Sequence, residues 1–206
     1  MVFSRKTKEK ILKFSELPEV SSVLPTYLQK DTEYHCLSIG QYNLIDVIEH
    51  VIESAGLCNV DITVWTAADA SMKRAKELLD STKIQNMRWI IDPSFRNRQP
   101  DYVNTLRGLF PDSIRTIPTH AKFVLIYNDQ FHFIIQTSMN LNQNKRLESF
   151  TIIESEQLVC FYRDFFDRVF ELIPKEESFV SQSPLILKGL KKEDGTDIFN
   201  MPDIDI

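Results

Sequence analysis

Glycine is scarce in this chain. Its five glycines in 206 residues form no phosphate-cradling loop, so neither the P-loop nor the dinucleotide-binding fingerprint is present. That removes the two commonest nucleotide-binding readings of an α/β sequence. Cysteine is scarcer still: Cys36, Cys58 and Cys160 lie far apart, with no pair at the short spacing of a metal loop or redox turn. They read as free thiols in a reducing compartment. No His-x-x-x-His pair and no tight acidic cluster occurs, so neither a metal nor any other cofactor is expected. Nowhere does the sequence hold the roughly 20 successive apolar residues of a membrane-crossing helix. The opening stretch MVFSRKTKEKILKF is basic but lacks an apolar core of signal-peptide length. The expectation is a cytoplasmic protein without a membrane partner.

Positive charge is also in short supply. The formal net charge is −5, which argues against whole-molecule attraction to nucleic acid and leaves only local patches to provide it. One such patch is visible: between Arg88 and Arg115 the chain carries five of its ten arginines and no lysine or glutamate, against three aspartates.

What is present is a regular alternation of patterns. YHCLSIG reads as a strand, and NLIDVIEHVIESAG sets Leu44, Ile48, Val51, Ile52 and Ala55 on one helical face with Gly56 as its stop. VDITVW is a strand; Asp69 is a candidate N-cap for the helix ASMKRAKELLDS, which ends near Lys83. The strand MRWIID, the loop PSFRNRQP and the helix DYVNTLRGLF follow. AKFVLIY and FHFIIQ form a hairpin through NDQ, before the strand FTII and the helix EQLVCFYRDFFDRVFELI. Trp65 and Trp89 fall in apolar strand runs and read as core. His35 and His132 read as core or edge residues with satisfied hydrogen bonds, and His50 lies on the polar side of its helix. No internal repeat appears.

The fold class is therefore α/β, a mixed, mainly parallel sheet flanked by helices, with a late antiparallel hairpin. Three segments are expected. Residues 1–30 form an N-terminal arm containing a short amphipathic helix and an extended connection, 31–175 the domain, and 176–206 a flexible acidic tail. The tail's isolated Ile and Phe make it a candidate protein-docking segment; a frayed acidic end is the plainer reading.

THAKFVLIYND and QTSMNLNQNKRLESF carry the chemistry. The period of two puts His120 and Lys122 on one side of their strand, and Ser138 and Asn140 on one side of the next. Cleaving a phosphodiester needs a nucleophile, a cation and donors for the non-bridging oxygens, and an acid for the leaving group. His120 supplies an imidazole nucleophile, Lys122 and Asn140 bind oxygens, Ser138 adds a hydroxyl, and Glu148 can accept the other imidazole N–H. Arg96 and Arg98 in the loop, with Lys145 and Arg146 downstream, are candidate substrate-binding cations. No second histidine with a lysine two residues on is available to protonate the leaving oxygen.

These stretches resemble the phospholipase D superfamily, whose signature is His-x-Lys followed by Asp and then by Ser-x-Asn. HAK at 120–122, SMN at 138–140 and the downstream NKRLE carry the resemblance. The motif-specific part spans about 30 residues within a fold-level match over 34–173. Tyr127 stands at the family's aspartate position, with Asp129 two residues late, and Thr137 replaces its glycine. Family members use two such motifs, and this chain has one. The resemblance thus implies a metal-independent endonuclease working as a homodimer through a phosphohistidine, with nucleic acid as substrate and DNA preferred over RNA. The alternative is a catalytically inactive, phospholipase D-like nucleic-acid-binding or assembly module, possibly phage-related.

Overall fold

The computed structural model describes residues 9–14, 19–143 and 145–175. Its first helix shows how locally the elements are specified. Asn43 accepts hydrogen bonds from the amides of Ile45 and Asp46, while the Asp46 carboxylate accepts the Asn43 N–H at 2.7 Å. This reciprocal cap satisfies amides that the first turn leaves without partners. Helix α1 (Leu44–Ala55) then buries Leu44, Ile45, Val47, Ile48, Val51, Ile52 and Ala55. Gly56 ends it at φ 73° and ψ −152°, a conformation essentially reserved for glycine.

The strands are β1 (Glu9–Phe14), β2 (Thr32–Ser38), β3 (Cys58–Val64), β4 (Ile84–Ile91), β5 (Ile114–Thr116), β6 (Phe123–Tyr127), β7 (His132–Thr137) and β8 (Glu148–Glu154). They form one sheet in the order β1-β2-β8-β7-β6-β3-β4-β5. β1/β2, β3/β4 and β4/β5 pair in parallel, and the four central pairings are antiparallel. The α/β class holds, but among the described strands the sheet is not mainly parallel. β6 to β8 enter it as a meander between the two parallel ends.

Helices α1, α2 (Asp69–Asp80) and α4 (Pro100–Leu109) cover one face over Val60, Ile62, Trp89, Val124, Ile126, Phe133 and Ile135. Helix α5 (Glu156–Leu172) covers the other over Ile90, Phe123, Leu125 and Ile134. Burying each large aliphatic side chain stabilises by about 1.5–3 kcal/mol, so these two layers hold the strands in register.

Three local expectations are corrected. EKILKF (Glu9–Phe14) is strand β1 rather than an amphipathic helix: Ile11 packs on the core, Lys10 stays exposed, and the backbone bonds to β2. RNR lies in the four-residue helix α3 (Phe95–Arg98) rather than in a loop. Asp69 is not the cap of α2; Ala68 holds that position without a side-chain bond, and Asp69 pairs with Lys73 one turn on. β5 has no counterpart in the sequence reading. Residues 1–8, 15–18 and the tail expected over 176–206 lie outside the described residues. Among the described residues no helix is long and apolar enough to cross a membrane.

Candidate active site

Pairing registers bring many strand ends to one rim. Ser38 at the end of β2 pairs with Glu148 at the start of β8, and Phe123 at the start of β6 pairs with Gln136 near the end of β7. Thr63 near the end of β3 also meets Phe123, and the ends of β3, β4 and β5 align through Val64, Ile91 and Thr116. The carboxyl ends of parallel strands are where open α/β sheets bind ligands.

His120 is exposed on this rim, three residues before β6. The preceding residue anchors it: the Thr119 N–H donates to Asp92 Oδ2 at 2.9 Å. Its imidazole meets the Trp65 indole with centroids 5.8 Å apart and planes at 62°. Lys122 Nζ donates to the His120 carbonyl at 3.0 Å. Partial burial lowers the pKa of that ammonium, and the nearby Glu148 carboxylate opposes the shift.

Ser138 leaves β7 with its hydroxyl donating to Glu148 Oε2 and accepting the Ser149 N–H at 3.0 Å. Glu148 is therefore engaged by Ser138, and no hydrogen bond joins it to His120. Asn140 Oδ1 accepts from the amides of Trp65 and Thr66 at 3.1 and 3.2 Å. Two N–H donors on one atom identify it as the oxygen, so Nδ2 is left as a donor for another partner. Thr137, at the family's glycine position, folds its hydroxyl back onto the chain, donating to the Ser149 carbonyl at 2.9 Å and accepting the Met139 N–H at 3.0 Å.

His120, Lys122, Ser138, Asn140 and Glu148 thus share one rim. Arg98 joins them through Trp65, its guanidinium 3.5 Å from the centre of the indole and donating to the Trp65 carbonyl at 2.9 Å. Arg96 is exposed on α3, and Lys145 and Arg146 are exposed on the connection into β8. Tyr127 stands at the far end of β6, where its phenol donates to Asp61 Oδ2 at 3.3 Å. Among the described residues, no group of three or more His, Cys, Asp or Glu side chains is placed to hold a metal ion.

Trp65 and Asp92 were not legible as site residues. Trp65 closes an apolar run and reads as core, yet it is only half-buried; Trp89, read the same way, is fully buried. The available signal was position, since each follows the last residue of a parallel strand, the one that reaches the ligand-binding end.

Among solved structures, the chain is similar to polyphosphate kinase from Porphyromonas gingivalis, at a TM-score of 0.50 and 14% identity over 69% of this chain. The chain shares the fold of the matched part of that kinase. The match spans only 26% of the polyphosphate kinase chain. The chain is also similar to a phospholipase D family member, Nuc from Salmonella typhimurium, at a TM-score of 0.43 and 15% identity, over 58% of this chain and 82% of that one. No protein-family model and no curated protein sequence matches the chain. Within this sheet, His-x-Lys forms the entry to β6 and Ser-x-Asn the exit from β7.

Proposed function

We propose that the protein is a metal-independent phosphodiesterase, an endonuclease that cuts DNA in preference to RNA as a cytoplasmic homodimer. One observation carries the reading: His120, Lys122, Ser138, Asn140 and Glu148, separated by up to 28 positions, converge on one exposed rim. In the proposed reaction an imidazole nitrogen of His120 attacks phosphorus, forming a P–N bond as the P–O bond to the leaving group breaks. The departing oxygen takes a proton from the imidazolium of His120 in a second copy. That imidazole then removes a proton from water, whose oxygen displaces His120 and restores it. Lys122 and the Asn140 amide bind the non-bridging oxygens, and Ser138 adds a hydroxyl held in place by Glu148. Arg96, Arg98, Lys145 and Arg146 bind flanking backbone phosphates.

Purified protein is expected to hydrolyse DNA and bis-(p-nitrophenyl) phosphate in EDTA, and His120→Ala to lower the rate about a thousandfold or more. Acid quenching of a single turnover should trap phosphate on His120. If a folded dimer leaves DNA, RNA and the model diester intact, the reading is overturned. The second reading, a phosphate-binding or assembly module without turnover, draws on the Glu148 contact, which goes to Ser138 and not to His120. Phosphate or DNA binding without hydrolysis supports it.

A further inference from the structure

Six residues on the rim close a ring of contacts. Asp92, the residue after β4, accepts the Thr119 N–H through Oδ2 and the Ser94 N–H through Oδ1, both at 2.9 Å, and also bonds the Ser94 hydroxyl. Ser94 Oγ accepts from Arg98 Nε at 3.3 Å. Arg98 lies over the Trp65 indole and bonds its carbonyl. Trp65 meets the His120 ring, and His120 follows Thr119, which returns the ring to Asp92. The Asn140 amide fixes the Trp65 backbone from the other motif.

We propose that Trp65 is a positioning residue which sets the distance between the His120 imidazole and the Arg98 guanidinium, making them one phosphate-facing unit. Arg98 has Nε on Ser94 and Nη2 on the Trp65 carbonyl, which leaves Nη1 to donate outward. A guanidinium stacked on an indole is pre-organised, so little freedom remains to be lost when it binds an oxyanion. A single aromatic plane braces both the imidazole and the cation, and removing it loosens both together. This assignment rests on the reading of His120 as the reacting histidine, and its test separates the two.

Histidine ring resonances of the full chain supply a readout independent of turnover. The His120 signals, identified by their loss in His120→Ala, are expected to show nuclear Overhauser contacts to the Trp65 indole. In Trp65→Ala the His120 signals should move while those of His35, His50 and His132 stay. On bis-(p-nitrophenyl) phosphate, Trp65→Ala is expected to lower kcat/KM about 100-fold, the scale of an ångström-sized misplacement, and Trp65→Phe to recover to within about fivefold. Where the alanine variant does not fold, the wild-type contact and the phenylalanine variant decide. His120 signals without indole contacts that are unmoved by either substitution overturn the assignment. If no diester is hydrolysed at all, the enzyme reading fails, and the spectral result alone decides the link between Trp65 and His120.

Discussion

Two polar clusters occupy the same sheet and are built on opposite principles. Under α5, toward the far ends of the strands, buried Asp61 receives two hydrogen bonds from Arg88, both at 2.7 Å, and one from the Tyr127 phenol. Arg88 also reaches Asp167 at 2.6 Å and lies over Phe166 and Phe170. Burial raises the pKa of the Asp61 carboxyl, and the Arg88 bonds oppose that shift. Here charge is spent internally. On the opposite rim His120 is exposed, the Asn140 amide keeps a donor, and Arg98 is braced from behind. A polar cluster that closes on itself locks α5 to the sheet, whereas one that leaves donors facing water is available to a ligand.

The sharpest contrast comes from one substitution in each cluster. His120→Ala should remove at least about 99.9% of diester hydrolysis while lowering the melting temperature by only about 1–5 °C, since this exposed side chain gives up little beyond its contact with Trp65. Asp61→Ala should do the reverse. Breaking a buried ion pair costs about 3–5 kcal/mol. For a chain of this size that lowers the melting temperature on the order of 10 °C, with the rate at low temperature little changed; calorimetry and a rate assay on the same samples would show it.

Gly56→Ala is smaller in effect. The new methyl would meet open space, so the cost is backbone strain at φ 73° alone, about 1–3 kcal/mol by urea titration. The smallest effect concerns alkali. Burial pushes the Tyr127 phenol from 10.0 up to about 12, so the folded chain holds that proton more tightly than the unfolded chain. The contribution is complete below about pH 10 and is lost as pH rises toward 12. Melting temperatures across that window should fall less steeply in Tyr127→Phe than in the parent; an equal slope would place the alkaline sensitivity on Tyr42 and Cys58, which burial also raises to about 12.

Local pattern made α1 legible because its apolar spacing, cap and glycine stop all agree. It failed at β1, where Lys10, Ile11, Leu12 and Phe14 suit a short amphipathic helix as well as a strand, and only pairing with β2 decides. The antiparallel majority was hidden for a related reason. β2 meets β8 and β3 meets β6 across long stretches of chain, and no local signal encodes such partners. His120, Lys122, Ser138, Asn140 and Glu148 could be picked out by residue type and spacing. The role of Glu148 could not, because its choice of Ser138 depends on how β7 and β8 align. Trp65 and Asp92 required the topology itself.

The sheet's two margins bear on how copies of this chain can meet. Among the described strands, β5 closes one margin with three residues and β1 closes the other with a strand bearing the exposed Lys10. A short edge and an edge lysine are among the usual means by which sheets avoid recruiting one another into continuous ribbons. A strand of three residues offers too few backbone bonds to template a neighbour, and a lysine-bearing edge resists stacking against its own copy. Self-association is thereby steered away from open-ended fibre growth and toward closed contacts made by faces and rims.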